Sequence, residues 1–156
     1  MKLNLAVILF LLSVTLFSCK DDYTFCSESR TVQLSSFFYK KIGTQEVTTN
    51  APELKLIDIG TAQTLLTNQQ NASSFSLVLN PLKDSMRFYI SIAPTLQADT
   101  LTVVYTSASK ALSPECGIIS THKILKAYTT KHTLDTVKLT NTAVDNDLAP
   151  NTKIFF

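Results

Sequence analysis

The segment Leu101-Thr102-Val103-Val104-Tyr105 decides the fold class, because large apolar residues recur in it at every second position. Successive side chains of a strand point to opposite faces, so Leu101, Val103 and Tyr105 are predicted to face a core together. Val137-Lys138-Leu139 has the same alternation. Around these segments Thr and Ser are abundant and the chain has only three glycines. The sequence therefore indicates β structure.

Short segments with this alternation, or with many β-branched residues, recur along the chain between turn signals that contain proline, such as Asn80-Pro81 and Ser113-Pro114-Glu115. The predicted strands are Arg30–Lys41, Glu53–Ile59, Ala62–Asn68, Ser73–Asn80, Ser85–Ala93, Thr100–Ser107, Thr121–Thr130, Thr136–Asn141 and Lys153–Phe156. Thr61–Gln70 and Ser107–Leu112 are also compatible with short helices. Frequent turns between short strands predict an antiparallel two-sheet sandwich, immunoglobulin-like in general architecture, although the chain has no Trp.

Two aromatic segments differ from the alternating ones. In Phe37-Phe38-Tyr39 and in Phe88-Tyr89-Ile90 every residue is large and apolar or aromatic. We expect both faces of these strands to be covered, as in a central strand between a core and a neighbour.

The N-terminus has the three parts of a secretory signal. Lys2 is an early cation, Leu3–Phe17 is a mostly apolar run, and the small Ser18 precedes Cys19. Because a membrane-spanning helix needs about 20 apolar residues, the run is predicted to be removed. Leu16-Phe17-Ser18-Cys19 resembles the bacterial lipobox, which implies lipidation of Cys19. A plain signal peptide cut elsewhere and a signal anchor are the alternatives.

The charged residues after Cys19 suggest an address. Lys20-Asp21-Asp22 resembles the acidic export signal that sends Bacteroidetes lipoproteins to the outer membrane and often to the cell surface. A charged, solvated tether is the alternative. The predicted organisation is a signal peptide over residues 1–18, an acylated tether over 19–25 and one β-sandwich domain over 26–156.

Removal of the signal leaves 13 basic and 12 acidic residues, without a charge block or a basic stripe. No nucleic-acid partner is therefore expected, and the membrane is approached through the lipid.

Two cysteines remain once Cys19 carries lipid. In an oxidising compartment Cys26 and Cys116 most simply form a disulfide, with two buried thiols or a metal pair as alternatives. Six residues separate Cys19 from Cys26, and when fully extended they reach no more than about 25 Å. If Cys26 is joined to the domain, the domain therefore stays close to the membrane.

The motifs of enzymes are mostly missing. The sequence has no Gly-x-Ser-x-Gly elbow, phosphate-binding glycine loop or His-Glu-x-x-His motif. His122 is expected on a strand surface and His132 in a turn, and Asp145-Asn146-Asp147 is interpreted as a turn rather than a calcium loop. We therefore expect no enzyme activity, no metal and no cofactor.

The mature chain as a whole resembles small Bacteroidetes lipoproteins classed under a domain of unknown function. The shared features are the lipobox Cys, an early Cys as at Cys26, a Cys-Gly pair as at Cys116-Gly117, a stretch like Thr130–Asp135 and an aromatic-ended last strand like Lys153–Phe156. The resemblance implies an exported lipoprotein with Cys26 paired to Cys116. It implies no known activity.

Three segments match the Asp-Ser/Thr-apolar pattern at which Bacteroidetes O-glycosylate exported proteins. The candidate hydroxyls belong to Ser85, Thr100 and Thr136. The same pattern also arises where Asp ends a turn and a hydroxyl residue opens a strand.

Two functions fit these features. The first is a non-catalytic accessory or interaction module docked on an outer-membrane assembly with a protein partner. In this reading Phe155-Phe156 is an open strand edge that pairs with another sheet, with an ordinary core strand as the alternative. The second is a lipoprotein that binds glycan or peptide, for which tyrosines must replace Trp as the sugar platform. A coplanar exposed row of tyrosines would favour ligand binding, and burial of most would favour docking. The candidates are Tyr23, Tyr39, Tyr89, Tyr105 and Tyr128.

Overall fold

The computed structural model describes Cys26, residues 28–147 and residues 149–156. These residues form strands and connecting turns. The strands are β1 (Leu34–Ile42), β2 (Gln45–Thr48), β3 (Ala51–Asp58), β4 (Gln63–Ala72), β5 (Ser74–Leu77), β6 (Ser85–Ser91), β7 (Asp99–Ala111), β8 (Ile118–Thr129), β9 (Thr136–Leu139), β10 (Ala143–Val144) and β11 (Pro150–Phe155). The predicted all-β fold is confirmed. No helix long and apolar enough to cross a membrane occurs in the described part of the chain.

The strands form two sheets packed face to face, as the sandwich prediction requires. In sheet A, β1 lies between β11 on one side and β5 followed by β2 on the other, and β9 continues the sheet beyond β11. Sheet B has the order β10-β8-β7-β6-β3-β4. All pairs are antiparallel except β1 with β11, which run parallel with Phe38 opposite Ile154.

The last strand is therefore interior to sheet A. Phe155 pairs with Tyr39 of β1 on one side and with Thr136 of β9 on the other. Phe155 is buried, and the Phe156 ring packs edge to face on Phe38 with centroids 5.6 Å apart. The hypothesis that Phe155-Phe156 leaves an open strand edge is wrong, and the alternative of a core strand is confirmed.

The core lies between the inner faces of the two sheets, and the alternation in the sequence explains its membership. Leu101, Val103 and Tyr105 are all at most 1% exposed, as their spacing predicts. Phe88 and Ile90 of β6 are equally buried, but Tyr89 between them is exposed. The prediction that both faces of this segment are covered is wrong, because the face of β6 that carries Tyr89 is open to solvent.

Neither of the two helix-compatible segments is helical. Residues 63–70 belong to β4, which is held extended by pairing with β3 along the edge of sheet B. Residues 107–111 continue β7, where each residue from Ser107 to Ala111 pairs with β8. Cross-strand hydrogen bonding thus overrides local preference in both segments. The short strands β2 and β10 were not predicted, since neither carries an apolar alternation long enough to recognise.

Asn151 joins the two sheets through its buried amide. Its Oδ1 accepts a hydrogen bond from the backbone N–H of Ser35 in β1 at 2.9 Å. Its Nδ2 donates to the carbonyl of Ala143 in β10, a strand of sheet B. Because a buried amide left without partners costs about 1–3 kcal/mol, this side chain specifies how the end of the chain sits between the sheets.

The β7–β8 hairpin continues beyond the core, and a disulfide ties its tip to the N-terminal segment. We call residues 106–123 the hairpin arm; its first strand is exposed from Thr106 to Ala111. Cys116 in the tip turn is bonded to Cys26, with Cα atoms 4.8 Å apart and a sequence separation of 90. The predicted disulfide is present, and it closes a covalent loop that contains β1 to β7.

Removing this cross-link should destabilise the domain. Cys116→Ser and Cys26→Ser should each lower Tm by several degrees under oxidising conditions, because a loop of this length constrains the unfolded chain by up to about 4–5 kcal/mol. The measurement is thermal unfolding followed by circular dichroism. Reduction of the wild-type protein is the control and should bring its Tm down to that of the variants; an unchanged Tm in both variants would contradict the prediction.

Candidate functional site

One end of the sandwich combines the disulfide, the hairpin arm and a loop that crosses between the sheets. The crossing loop, residues 78–84, leads from β5 of sheet A to β6 of sheet B. Ser85 pairs with Val104, so the arm begins beside this loop and extends beyond it. We call the region made of Cys26, residues 28–33, the crossing loop and the arm the tethered end.

The tip of the arm is a tight, well-bonded turn. The N–H of Leu112 donates to the carbonyl of Gly117 at 3.0 Å, and the N–H of Gly117 donates to that of Ser113 at 2.8 Å. Gly117 has φ of +73°, a conformation that favours glycine over residues with a side chain. This explains why Gly follows Cys116 directly: the turn orients Cys116 toward Cys26 at little backbone cost.

Exposed apolar side chains cluster at the tethered end. Leu82 is 93% exposed, and Val78 and Ile118 are each 66% exposed. With Pro81 they form what we call the apolar rim. Val78, Pro81 and Ile118 line a common cavity of about 400 Å³, and Leu82 lines two neighbouring ones of about 750 and 720 Å³. The rim is therefore a connected surface rather than scattered single residues.

The position of Leu82 follows from how its turn is held. Asn80 accepts hydrogen bonds from the N–H of Leu82 through Oδ1 and from the N–H of Lys83 through its carbonyl. The buried Tyr105 hydroxyl donates to the same carbonyl at 2.8 Å. Burial raises the pKa of Tyr105, which keeps this hydroxyl protonated as a donor. The turn is thus fixed from the core side, and Leu82 projects into solvent.

The sequence did not identify this surface, although one signal for it was present. Phe75, Leu77 and Leu79 are buried, so the period of two places Val78 on the outside. Leu82 follows an Asn-Pro turn signal, which predicts exposure but not an apolar residue there. Nothing in the sequence indicates that Ile118 lies near Val78, because forty residues separate them.

A serine and a histidine lie opposite each other at the base of the arm. Ser107 Oγ and His122 Nδ1 are 2.9 Å apart, and the imidazole packs edge to face on Tyr105 with centroids 5.3 Å apart. His122 is only 6% exposed, so its predicted place on the surface is wrong: its strand turns it inward against Tyr105. Burial lowers the pKa of His122, which favours the neutral ring.

This pair has the spacing of a nucleophile and its base but lacks the remaining parts of such a site. A catalytic imidazole is normally oriented by a third group. Over the ranges that the structure describes, no carboxylate accepts a hydrogen bond from His122. His132 belongs to a separate network, where it lies near Asp99 and Thr130. The contacts of His122 are those of a packed core residue.

Asp99 organises the loop that follows β8, at the opposite end of the sandwich. Its side chain is fully buried and accepts hydrogen bonds from the Thr130 hydroxyl and from three successive backbone N–H groups at 2.7–2.8 Å. These amides belong to residues 132, 133 and 134. Burial would raise the pKa of the Asp99 carboxyl, but these four hydrogen bonds outweigh it and hold the pKa below its ordinary value. His132 lies in this exposed loop, as predicted.

The outer face of sheet B is open and carries aromatic and cationic side chains. Tyr128 pairs with Thr102, which pairs with Arg87, so these three form a row across the sheet. Tyr89 lies on the same face two residues from Arg87, which places the two tyrosines about 12 Å apart. Tyr89 is 37% and Tyr128 is 45% exposed. A cavity of about 280 Å³ next to Tyr128 is lined by Arg87, Thr102 and Lys83, among others.

The outer face of sheet A is instead covered by an ion network. Glu46 of β2 binds Lys153 at 2.7 Å and Lys138 at 3.0 Å. The hydrogen bond from Lys153 and then that from Lys138 lower the pKa of Glu46. Lys153 also lies 4.5 Å from the centroid of the Tyr39 ring. Long cationic side chains thus shield the aromatic residues of this face.

The tyrosines therefore divide between the two faces. Tyr105 is buried, Tyr39 is half-buried beneath Lys153, and Tyr89 and Tyr128 are exposed on sheet B. Tyr23 lies outside the described residues. Ligand binding predicted an exposed row of tyrosines, and docking predicted that most of them are buried. Two exposed rings on one face match neither expectation.

The remaining predicted residues have the following places. Cys19, Lys20, Asp21 and Asp22 lie outside the described residues. Ser85 opens β6, is exposed and donates to Asp84 at 3.1 Å. Thr136 opens β9, and Thr100 follows the first residue of β7; both are half-buried. All three lie where a turn passes into a strand, and their glycosylation stays a prediction.

Asp145 Oδ1 accepts a hydrogen bond from the N–H of Asp147, and Asn146 Oδ1 accepts one from Lys110, so this segment is a turn as predicted. Among residues 26, 28–147 and 149–156 no group of three His, Cys, Asp or Glu side chains is placed to hold a metal ion.

The fold and the tethered end define a β-sandwich protein whose N-terminal segment is covalently fixed to a protruding hairpin. The chain belongs to a family of unknown function (DUF6452), whose model matches residues 53–156. The match runs from β3 to the last strand and includes Cys116, but not Cys26 or β1. Comparison with curated proteins gives no match, and comparison with solved structures gives none either.

Asp99→Asn should destabilise the domain and change how its stability depends on pH. An amide presents N–H groups to some of the donors around residue 99, so we expect a loss of about 1.5–3 kcal/mol at pH 7. Because the pKa of Asp99 is depressed in the folded state, the wild-type advantage is present above its unfolded value and disappears as pH falls through the lower, folded value. Urea unfolding at pH 7 and below pH 3 measures both effects. Asp135→Asn, in the same loop but exposed, is the control; equal loss in both variants would contradict a specific role for Asp99.

Proposed function

We propose that this protein is a lipid-anchored outer-membrane or cell-surface lipoprotein of Bacteroidetes, and that it serves as a non-catalytic accessory module docked on a membrane assembly. The observation that carries the proposal is the Cys26–Cys116 disulfide. It fixes the first residue after the predicted tether directly to the folded body.

The covalent geometry limits how far the domain can be from the membrane. An acylated Cys19 and Cys26 are separated by six residues, whose extended length is at most about 25 Å. Without the disulfide, residues 27–33 would add to the length of chain between the membrane and β1. With it, the hairpin tip itself stays within this distance of the bilayer. Such a restraint suits a partner in the same membrane better than a distant soluble one.

The described chemistry supports an interaction module rather than an enzyme. Among the described residues no acid orients the Ser107–His122 pair, and the Asp99 carboxylate is already occupied by four donors. Open surfaces, in contrast, are present at the apolar rim and on the outer face of sheet B. A protein partner in the outer membrane is therefore the expected ligand.

The location and the partner can be tested in one experiment. Cys19→Ala should release the protein from the membrane fraction into the soluble exported fraction, because the acylation site is lost. Cys26→Ser, which keeps the acylation site, is the matched control and should stay in the membrane. Mild cross-linking of intact cells, affinity purification from solubilised outer membrane and mass spectrometry should recover a stoichiometric membrane protein with the wild type. Retention of Cys19→Ala in the membrane would contradict the lipid anchor. Recovery of the protein alone would contradict the accessory role.

A second candidate function is capture of a glycan or peptide on the outer face of sheet B. The observation that favours it is the pair of exposed rings, Tyr89 and Tyr128, beside the cavity with Arg87. Lys126 lies 4.9 Å from the centroid of the Tyr128 ring and adds a cation next to this surface. Aromatic faces stack on sugar rings, and Arg offers a planar set of donors.

If this face binds ligand, Tyr128→Ala should weaken binding of any hit from panels of defined oligosaccharides and peptides by about ten-fold, equivalent to about 1.4 kcal/mol. Tyr128→Phe keeps the ring and should retain most of the affinity. The measurement is isothermal titration calorimetry. Equal affinity of wild type and Tyr128→Ala would exclude this face as the binding surface.

A further inference from the structure

We propose that the apolar rim rests on the lipid bilayer, so that the domain is held on the membrane in one orientation with its tethered end down. The inference rests on the proposed lipid anchor. It adds a contact surface, which consists of Val78, Pro81, Leu82 and Ile118. The ligand of this surface is the interfacial region of the bilayer.

The exposure of these apolar residues indicates that another surface covers them. Exposed single hydrophobic residues are ordinary on protein surfaces, whereas a connected exposed patch marks an interaction site. Leu82 projects almost its whole side chain into water from a turn fixed by Asn80 and Tyr105. Val78 lines one cavity with Leu82 and another with Ile118. A fixed turn that presents an apolar tip can insert without a rearrangement of the fold.

The anchor brings this particular patch to the lipid. Ile118 lies two residues beyond Cys116, whose partner Cys26 is the seventh residue after Cys19. The short tether therefore ends near the rim and not at the opposite end of the sandwich. Because the tether keeps the rim next to the bilayer at all times, the contact between rim and lipid needs little affinity of its own.

The charges around the rim fit a bilayer surface. Lys83, next to Leu82, is exposed; its side chain lines the cavity beside Leu82 and also the one beside Tyr128, where its Nζ lies next to Gly60. Arg30 lines the same cavity as Val78 and Ile118. Asp84 lines the cavity beside Leu82 together with Lys83, so acidic and cationic side chains are mixed here and the rim does not require anionic lipid.

The chain offers a clean reporter, because it contains no Trp. Leu82→Trp places a single Trp on the rim. Leu96→Trp places one in the turn after β6, at the other end of the strand that begins next to Leu82. Both leucines are exposed, 93% and 49%, so the two substitutions are matched and should leave the core intact.

The experiment uses chemical anchoring, which keeps it independent of native acylation. Residues 19–156, with the Cys26–Cys116 bridge formed, are coupled through the free Cys19 thiol to maleimide-lipid in phosphatidylcholine and phosphatidylethanolamine vesicles. Leu82→Trp emission should shift to the blue and lose at least half of its intensity when the vesicles contain brominated lipid. Leu96→Trp emission should match that of the protein in solution.

Four other outcomes have defined meanings. Leu82→Trp emission that stays at its solution wavelength on anchored protein overturns the inference. So does a blue shift that brominated lipid does not quench and that grows with protein density, since the rim then meets a second copy. Equal quenching of both reporters also overturns it, because the domain then has no fixed orientation. Failure of the native lipid anchor is seen separately, as unchanged membrane retention of Cys19→Ala in cells.

Discussion

The parallel pairing of β1 with β11 is the contact on which the rest of the fold depends. It joins the first and last strands and fixes the middle of sheet A, with Phe38 opposite Ile154. β5 and β2 add to one side of this pair and β9 to the other. Because the partners are more than 110 residues apart, sheet A is assembled by contacts of very long range, which cost loop-closure entropy before they contribute stability.

The tethered end is built on this framework but is not part of its core. Asn151, at the start of the last strand, binds both β1 and β10 and so sets where the sheets meet. The hairpin arm leaves the sandwich after Tyr105, which anchors the crossing loop through Asn80. The positions of the apolar rim and the disulfide thus depend on a few buried polar contacts as well as on the hydrophobic core.

Local patterns in the sequence were sufficient for the fold class and for most strands, because alternation such as that of Leu101, Val103 and Tyr105 reflects burial directly. They failed where pairing decides the outcome: residues 107–111 are extended only because β8 lies beside them, and Tyr89 is exposed only because the outer face of sheet B stays open. Cysteine counting found the Cys26–Cys116 bridge. The rim and the Asp99 network were beyond reach, since each depends on residues thirty or more positions apart. His122 was misplaced for the same reason, as its neighbour Tyr105 comes from another strand.

The disulfide also determines how mechanical load passes through the molecule. A pull on an N-terminal anchor would enter at Cys26 and cross at once to Cys116 at the hairpin tip, so its covalent path would bypass residues 27–115 and continue along β8. The strain would fall on the long β7–β8 ladder and its continuation toward the last strand. A domain dragged by membrane flow or by a moving partner would therefore be loaded along its most extensively paired hairpin, while β1 to β6 stayed inside a closed covalent loop that cannot be drawn out.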